Sequence, residues 1–480
     1  MNHVSRQTLR GVIRLNSRSF PFSYHHPYRR WMHSSECRNV NSSHRRSHTL
    51  AELRPVQPKI ESPVKEAKKS PLSILPLGMV IRSFLITSIY SSSVLQDLSL
   101  RILWVIAHSD NAFLNPDRNF ILNFLLRKSF YAQFCAGEIH AQVKSTVKRL
   151  RDIGFGGVIL THAKEAVPQD DAKSASILDP SIETSHDITA DIIPWVNSIV
   201  ETINMADPGN YVALKLSGAG RLALYNLSRN KNPSPYLSKS LDDICNLARQ
   251  RHVSILVDAE HDVQQEGIDS WTMTFARRHN TDTAIIYGTY QAYRKVTPAT
   301  ISRHLAEAQE GGFALGVKLV RGAYLGSDPR ECFYDTKFET DNCYNSISES
   351  VLTRQWSPVV CGNGNFPDTH LVLATHNAES AYKARTICSR GEAKSSIVFA
   401  QLQGMADELG CELIQADFGG SPVALPAYKY LVWGSTSECM KYLLRRAYEN
   451  RDAVQRTNSG RKALWSELIR RFKSALSLSS

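Results

Sequence analysis

The sequence lacks the cysteine patterns that stabilise small secreted proteins or bind zinc. Its nine cysteines are an odd number and lie far apart, from Cys37 to Cys439, with no Cys-x-x-Cys pair. No cluster of His and Cys has the spacing of metal ligands, so we predict no metal site. The pattern indicates buried free thiols in a reducing compartment.

Long apolar segments are also absent. The most apolar stretch, residues 77–107, is interrupted by Arg82, Asp97 and Arg101. Its longest uncharged piece lies between Arg82 and Asp97 and is shorter than the ~20 residues that a helix needs to cross a bilayer. We therefore predict packed helices in this stretch and no transmembrane helix.

Acidic residues are missing from the first 35 positions. Residues 1–50 contain nine Arg, no Lys and a single acid, Glu36, whereas the rest of the chain is only weakly basic. A nucleic-acid-binding protein would carry its basic patch on the folded body, so no nucleic acid is expected as a partner. The Arg- and Ser-rich segment is typical of a mitochondrial transit peptide, and a disordered basic arm is the alternative.

Short apolar segments alternate with helical patterns through most of the chain. These segments are 157–162, 211–217, 254–260, 284–290, 315–322, 371–377, 396–402 and 428–434. Eight strands with helical crossovers predict an α/β fold of the TIM-like (β/α)8 barrel type, with a doubly wound open sheet as the alternative. We divide the chain into a transit peptide (1–50), a linker (51–77), a helical N-terminal region (78–150), the barrel (151–458) and a C-terminal amphipathic helix (459–480).

Four of the predicted strands carry a polar or charged residue near their C-terminal ends, namely Lys215, Asp258, Lys318 and His376. Because alternate residues of a strand point to opposite faces, we expect all four to point into the barrel. A buried charge is costly without a partner, and the C-terminal mouth is where such barrels hold their chemistry. A structural salt bridge is the alternative for one or two of them.

Two short motifs carry less information. GAGRLA (218–223) matches the relaxed dinucleotide-binding pattern after a strand, but Asp242 and Asp243 precede a helix instead of following the next strand. We therefore do not predict a dinucleotide site there. In DAEHD (258–262), neighbouring side chains point to opposite faces of a strand, which disfavours a metal site and favours a single functional acid, Asp258.

The segment YLLRRAYEN (442–450) has a polar helical face. Tyr442, Arg445, Arg446 and Glu449 have the spacing that normally marks an apolar stripe facing the core. A solvated face with an Arg445–Glu449 surface pair would contribute only about 0.3–0.5 kcal/mol. The alternative is that this face closes over the barrel mouth.

Several motifs occur in the order found in proline dehydrogenases. They are YQAYRKVTP (290–298), VKLVRGAYL (317–325), LATHNAES (373–380), FAQLQGMAD (399–407) and YLLRRAYENRD (442–452). The chain resembles the mitochondrial, single-function fungal type of this family over roughly residues 150–455, and more weakly from about residue 78. The resemblance implies a distorted barrel that binds FAD, oxidises L-proline to Δ1-pyrroline-5-carboxylate by hydride transfer to the flavin, and passes electrons to ubiquinone.

The resemblance also implies roles for individual residues. Arg445 and Arg446 would grip the substrate carboxylate through planar, charge-assisted hydrogen bonds, and Glu449 would hold an arginine. The implied catalytic set is Lys215, Asp258, Tyr430, Arg445, Arg446 and Glu449. The implied substrate-binding set is Lys215, Ala323, Tyr324, Leu402, Tyr430, Tyr442, Arg445, Arg446 and Glu449. The implied cofactor-binding set is Asp258, Gln291, Lys318, Val320, Gly322, Thr375, His376, Asn377 and Gln401.

This chain departs from the family pattern at three places. Bacterial relatives read R-L-V-K-G-A-Y where this chain has Lys318 and Arg321, so the residue near the flavin edge is a lysine. Gln401 lies one position later than the comparable bacterial glutamine. Val432 and Trp433 stand where many animal relatives have Pro and Tyr.

Two alternative functions are open at this level. Oxidation of 4-hydroxyproline would depend on the room beside the Tyr430 hydroxyl, at the C4 position of the substrate ring. A non-catalytic mitochondrial binding protein on the same scaffold is the other alternative. The presence of Lys215, Asp258, His376 and the arginine pair argues against the second.

The C-terminal segment 461–476 is amphipathic. One face carries Leu464, Trp465, Leu468, Ile469 and Phe472, and basic residues fill much of the remainder. This pattern is typical of a helix on a membrane surface, and it also fits a terminal helix docked on the barrel, which is the commoner arrangement. Because a quinone-linked enzyme needs membrane contact, we expect a protein on the matrix side of the inner mitochondrial membrane.

Overall fold

The computed structural model describes residues 70–109, 111–163, 182–416, 424–449 and 454–477, without the side chains of residues 449, 454–459 and 477. All of these residues belong to one structural unit, Ala67–Ser480. The predicted transit peptide and most of the predicted linker lie outside the described residues.

Eight parallel strands in the described chain form a closed barrel, in which each strand pairs with the next and the last pairs with the first. The strands are β1 Gly157–His162, β2 Tyr211–Leu214, β3 Ser254–Val257, β4 Ile286–Gln291, β5 Leu315–Val320, β6 Thr369–Ala374, β7 Ser396–Leu402 and β8 Ala427–Trp433. The predicted (β/α)8 class is confirmed. The open doubly wound sheet is excluded, because the two outer strands of such a sheet would be unpaired.

Five of the strands, namely β2, β3, β5, β6 and β8, end earlier than the sequence pattern predicts. β2 stops at Leu214 because Leu216–Ala219 forms a 3-10 turn, and β3 stops at Val257. Lys215 and Asp258 therefore occupy the first position beyond their strands, and His376 occupies the second position beyond β6. All three positions lie at the C-terminal mouth of the barrel.

Helices surround the barrel and extend it at both ends of the described chain. They are α1 Leu77–Tyr90, α2 Ser93–His108, α3 Phe120–Leu126, α4 Ala132–Phe134, α5 His140–Ile153, α6 Ile193–Met205, α7 Arg221–Ser228, α8 Pro235–Gln250, α9 Asp262–His279, α10 Thr297–Gly311, α11 Lys337–Thr353, α12 Ala378–Ser389, α13 Asp407–Leu413, α14 Thr436–Glu449 and α15 Val454–Ser477. Pro71–Ile74 and Arg330–Cys332 are further 3-10 turns, and Arg127–Tyr131 and Asp187–Ile192 are π-helical turns. Each helix that follows a strand returns the chain to the opposite end of the barrel, which a parallel pairing requires.

Alternate residues of the strands fill the barrel interior. Ile159, Leu256 and Val372 belong to an inner cluster, whereas Phe399 and Leu431 pack in the larger core beneath the outer helices. The same alternation continues past the strand ends toward the mouth. It therefore also turns the polar residues at the mouth into the barrel.

The first and last described helices pack side by side. The rings of Phe84 in α1 and Trp465 in α15 are stacked with 5.3 Å between their centroids. Leu464 and Glu467 of α15 are buried. Arg471 donates hydrogen bonds to backbone oxygens of the turn before α1, the shortest at 2.8 Å. α15 is therefore docked on the N-terminal helices.

None of the described helices is by itself long and apolar enough to cross a bilayer. α1 and α2 meet the length and composition criteria only as a pair, and the pair is bent by 102° at the break. Arg82, Asp97 and Arg101 are the charged residues that interrupt this pair.

Candidate active site

Three residues, each on a different strand or just beyond its end, meet at the mouth of the barrel. Lys318 donates a hydrogen bond to Asp258 Oδ1, and the Tyr430 hydroxyl donates one to Asp258 Oδ2 at 2.9 Å. The Lys318 ammonium also lies 5.4 Å from the centre of the Tyr430 ring. Lys318 and Asp258 are buried, and a buried ion pair is stable only when its remaining hydrogen-bonding groups are satisfied. The hydrogen bond from the Tyr430 hydroxyl satisfies one of the remaining groups, the second carboxylate oxygen of Asp258.

Two tyrosines at the mouth remain protonated at neutral pH. Burial raises the pKa of the Tyr430 hydroxyl, and the nearby Asp258 carboxylate raises it further. Burial also raises the pKa of Tyr324 to about 12, although Lys215 and Arg446 act in the opposite direction. The electrostatic influence of these two cations on one phenol shows that they share the mouth with Tyr324.

Glu260 is a buried acid at the mouth that the sequence-based prediction omitted. Its carboxylate accepts hydrogen bonds from the Ser217 hydroxyl and, at 3.1 Å, from the Ser217 backbone N–H. Burial raises the pKa of Glu260, while the Ser217 hydrogen bond and the positive charge of Lys215 oppose that shift. The sequence contains a signal that could have identified Glu260. It lies two residues after Asp258, so alternation along the chain places both acids on the same face.

α14 brings part of its polar face to this opening. Tyr442 and Arg446 line a cavity at the mouth, and the Arg446 guanidinium lies 5.4 Å from the centre of the Tyr442 ring. Arg445 is half-buried on the same helix. The side chain of Glu449 lies outside the described residues, so its contact with an arginine stays a prediction.

The cavity has a volume of about 740 Å³ and lies between the barrel mouth and several helices. His376, Leu402 and Tyr430 line it on the barrel side, and Tyr442 and Arg446 line it on the side of α14. Ligand-binding cavities in proteins have volumes of roughly 300–1,000 Å³. This cavity therefore has the size and the polar groups of a ligand site.

Three predicted cofactor residues have features that fit a flavin dinucleotide. Gln291 is buried, and its amide nitrogen has no hydrogen-bond partner among the described residues. His376 Nε2 accepts a hydrogen bond from the Leu402 N–H at 3.1 Å, which places the ring proton on Nδ1. Asn377 caps α12 by accepting from the Ser380 N–H at 3.2 Å. The positive N-terminus of α12 also borders the cavity, and such a terminus suits an anionic diphosphate.

Two other predicted cofactor residues point away from the barrel interior. Gln401 shares the outer face of β7 with Phe399, and its side-chain oxygen lies close to Gly410 of α13. Thr375 accepts a hydrogen bond from Arg321 at 2.9 Å. Side-chain contacts of Thr375 and Gln401 with a ligand inside the barrel do not follow from this placement, because alternation turns Leu402 inward. The cofactor-binding roles of both residues stay predictions.

Gly322 is required by a contact within the protein. Its backbone has φ +141°, and a Cβ atom there would lie 2.1 Å from the Tyr293 ring. The family resemblance places Gly322 in the cofactor-binding set, and within the protein the Tyr293 ring is the neighbour that excludes a side chain there. Val320 shares the inward face of β5 with Lys318, and Ala323 is half-buried after that strand.

Barrel enzymes hold their active sites at the C-terminal mouth of the barrel. This chain has a closed parallel barrel with ion-paired polar residues at that mouth. The family model described as proline dehydrogenase matches residues 143–459, which include the whole barrel and α14. The chain therefore belongs to the proline dehydrogenase family, whose members are oxidoreductases that act on proline.

Curated relatives of this chain carry related names. The chain is 27% identical over 402 residues to the probable mitochondrial proline dehydrogenase of Schizosaccharomyces pombe, with 74% of this chain and 81% of the relative covered. It is 29% identical over 396 residues to mitochondrial proline dehydrogenase 1 of Arabidopsis thaliana, with 72% and 75% covered. It is also 28% identical over 395 residues to human hydroxyproline dehydrogenase, with 72% and 82% covered.

Solved bacterial structures share the fold. Proline utilization A from Bdellovibrio bacteriovorus, inactivated by N-propargylglycine, matches with a TM-score of 0.58 and 16% identity over 80% of this chain and 39% of that chain. A mutant of proline utilization A from Bradyrhizobium japonicum matches with a TM-score of 0.51 and 16% identity, over 79% of this chain and 44% of that chain. The chain thus spans about two-fifths of the length of these bacterial proteins.

Proposed function

We propose that this protein catalyses the FAD-dependent oxidation of L-proline to Δ1-pyrroline-5-carboxylate, the first step in the conversion of proline to glutamate. The observation that carries the proposal is one cavity bordered by both Tyr430, which is bonded to the Asp258–Lys318 pair, and Arg446 of α14. The family membership and the names of the fungal and plant relatives support the same substrate.

Arg445 and Arg446 hold the substrate carboxylate in this proposal. A small amino acid offers one planar anion, and a guanidinium matches that anion with two parallel donors. Each charge-assisted hydrogen bond contributes about 1.5–3 kcal/mol. Lys215 adds a third positive charge at the mouth, and Tyr324 and Tyr442 provide aromatic walls for the apolar faces of the ring.

The substrate amine has to be neutral when the hydride leaves C5, because its lone pair stabilises the developing iminium ion. Both carboxylate oxygens of Asp258 accept hydrogen bonds, one from Lys318 and one from Tyr430. We therefore assign Asp258 an electrostatic role at the mouth and not that of the base for the amine. Removing it would expose Lys318 as an uncompensated buried charge.

The residues that would hold FAD are Gln291, Lys318, Val320, His376 and Asn377. The unpartnered Gln291 amide and the ring proton of His376 are donors for the cofactor's polar edge, and the α12 N-terminus and Arg321 suit its diphosphate. When bound, FAD supplies the two-electron acceptor for the hydride. Lys318 would place positive charge where negative charge develops during the reaction.

Ubiquinone is the proposed final acceptor, and the inner mitochondrial membrane, on its matrix side, is the proposed location. Two relatives named mitochondrial support the mitochondrion as the compartment. The acid-free basic segment at the start of the chain agrees with this location.

Hydroxyproline is a second candidate substrate, because the chain is also similar to the human and rat hydroxyproline dehydrogenases. The Tyr430 hydroxyl is held in place by Asp258 at 2.9 Å. A fixed hydroxyl beside the substrate ring limits the room for a substituent, so we favour proline as the better substrate.

The direct test is spectroscopic. We expect the purified protein to be yellow and to bleach when L-proline is added without oxygen, and to turn over L-proline faster than trans-4-hydroxy-L-proline with a soluble dye as acceptor. A colourless protein that cannot be reconstituted with FAD would contradict the flavoenzyme assignment and favour a non-catalytic binding protein. Bleaching by hydroxyproline alone would transfer the assignment to the second substrate.

A further inference from the structure

Three helices near the two ends of the described chain expose apolar stripes. In α1 the exposed residues are Leu77, Ile81 and Leu85; in α2 they include Val94, Leu98, Ile102 and Val105; in α15 they are Trp465, Ile469, Phe472 and Leu476. Each set recurs every three or four residues and so occupies one side of its helix. We call the surface formed by these three sets the apolar helical surface.

The apolar helical surface belongs to well-packed helices. α1 and α2 bury opposite sides that include Val80, Leu100 and Leu103. The stacking of Phe84 on Trp465 joins α1 to α15, so the exposed stripes of these two helices flank one contact. Single exposed apolar residues are ordinary, whereas repeated apolar stripes on neighbouring helices mark an interaction site.

The charge of α15 indicates what binds this surface. Between residues 460 and 476 the helix carries five basic residues, Arg461, Lys462, Arg470, Arg471 and Lys473, and one acid, Glu467. Glu467 is buried and paired with Arg470 and Arg471. The exposed charge of the helix is therefore positive, and positive charge beside a Trp- and Phe-containing apolar stripe is suited to anionic lipid headgroups.

A second copy of this chain fits the surface less well. In a twofold dimer the same patch meets itself, so the basic residues of the two α15 helices would face like charges. Like charges at an interface cost free energy, whereas an anionic bilayer offers both apolar volume and opposite charge.

The cavity of the candidate active site lies behind the same helices. The inner sides of α1 and α2 line it with Ser83, Ile86 and Leu103, and α14 lines it with Tyr442 and Arg446. α1 and α2 thus have one side on the cavity and the other on the apolar helical surface. A bilayer in contact with this surface would be separated from the cavity by a single layer of helix.

We propose that the apolar helical surface of α1, α2 and α15 docks on an anionic lipid bilayer and so presents the cavity to a lipid-soluble electron acceptor. The acceptor part rests on the proposed function, whereas the docking does not. Docking buries the exposed stripes, and the basic residues of α15 contact the headgroups.

The first experiment measures binding to vesicles. The full chain is sedimented with phosphatidylcholine vesicles with and without cardiolipin. We expect binding that requires cardiolipin and weakens with salt, and about a tenfold or greater loss of binding for the variant Leu85→Glu/Ile102→Glu/Phe472→Glu. Phe338→Glu is the matched control. Phe338 is about as exposed as Phe472, but it lies on α11 and outside the apolar helical surface. Thermal unfolding is recorded to confirm that each variant is folded.

The second experiment separates docking from catalysis. With L-proline and a water-soluble dye, we expect the triple variant to keep wild-type activity, because none of its three residues lines the cavity. With ubiquinone in cardiolipin vesicles, we expect its rate to fall in parallel with binding. If no protein oxidises proline, the proposed function fails, yet the sedimentation result still decides the docking.

Two results would overturn the proposal. The first is a wild-type protein that does not sediment with cardiolipin vesicles, which would mean that another part of this chain or another partner covers the surface. The second is equal vesicle binding by the wild type and the triple variant. If light scattering also shows that the triple substitution converts a dimer to a monomer, the surface would instead be an interface between two copies.

Discussion

Asp258 connects the charged groups of the barrel mouth, because it neutralises Lys318 and accepts the Tyr430 hydroxyl. Asp258→Asn leaves the Lys318 ammonium buried beside a neutral amide. We expect the free energy of unfolding to fall by about 3–5 kcal/mol, the usual cost of removing one partner from a buried ion pair. Denaturant unfolding measures this change. Asp243→Asn, at an exposed position of α8, is the control, and equal losses in both variants would contradict the buried pair.

Arg446 is the arginine of α14 that lines the cavity. For Arg446→Met we expect the KM for proline to rise about tenfold or more, because a charge-assisted hydrogen bond worth about 1.5–3 kcal/mol is lost. The visible spectrum should show that FAD is retained. Lys441→Met removes an exposed positive charge from the same helix and should leave the KM unchanged. An unchanged KM in the Arg446 variant would remove this residue from the substrate clamp.

Tyr430 combines an aromatic ring at the cavity with a hydroxyl fixed by Asp258. Tyr430→Phe removes the hydroxyl and leaves the ring in place. We expect the ratio of kcat/KM for hydroxyproline to that for proline to increase by roughly tenfold, since one small group in a pocket changes discrimination by about 1–3 kcal/mol. Parallel assays with the two substrates measure the ratio. A constant ratio would show that Tyr430 does not limit access at the ring C4 position.

At the residue scale, alternation along strands predicted the lumen-facing groups but not their partners. The period of two along a strand predicts that Lys318 and Asp258 point into the barrel, because each continues a series of inward-facing residues. The Glu260–Ser217 pair does not follow from it, since it joins two separate loops at the mouth. The requirement for glycine at position 322 depends on the Tyr293 ring, which reaches it from another loop.

At the scale of secondary structure, Asp407 joins three elements. It is the first residue of α13, it pairs with Lys429 of β8 at 3.0 Å, and it accepts a hydrogen bond from Ser83 of α1 at 3.1 Å. Both charged side chains of the pair are at least 90% buried. This ion pair lies on the outer face of the barrel and fixes the helical layer on β8.

Loss of one member of this pair should destabilise the contact between α1 and the barrel. For Asp407→Ala we expect a decrease of about 3–5 kcal/mol in the free energy of unfolding, because Lys429 would stay buried and unpaired. The double variant Asp407→Leu/Lys429→Met should lose less than the single variant. Asp152→Ala, in the exposed pair with Lys148, should change stability by less than about 1 kcal/mol. A double variant less stable than the single one would contradict this account.

The sequence predicted each strand of the barrel, because short β-rich segments recur between helical patterns. It did not predict where β2 and β3 end, since the turn at Leu216–Ala219 depends on local packing. Amphipathicity identified α15, but two of its predicted apolar residues, Leu464 and Leu468, face the fold while Trp465 and Phe472 face outward. The helical period shows which apolar residues share a face of α15. It does not show which of them pack against the protein and which are exposed.

At the scale of the whole molecule, stability should depend on pH through Asp269. Burial raises the pKa of this carboxyl to about 6, above the unfolded value of about 3.9. The folded state therefore binds the proton more tightly, and stability from this group is lost as pH rises through this interval. We expect Asp269→Asn to stabilise the protein by about 3 kcal/mol at about pH 8 and by less than about 1 kcal/mol at about pH 4.

Thermal or denaturant unfolding at both pH values measures this effect. The amide oxygen of asparagine can still accept the hydrogen bond that Gln265 donates to Asp269 at 2.8 Å. Asp243→Asn, at an exposed position, should show no such dependence on pH. Equal effects of Asp269→Asn at the two pH values would contradict the raised pKa.

The packing of α1 against α15 also has a consequence for biosynthesis. α1 and α2 are synthesised before every strand of the barrel, whereas α15 is synthesised after all eight. At roughly 5–20 residues per second, α1 waits tens of seconds for the partner that covers Phe84. During that interval the side of α1 that packs on α15 has no native cover, so we expect the nascent chain to depend on chaperones. Chains that end before α15 should be cleared by proteases even though every strand of the barrel has been synthesised.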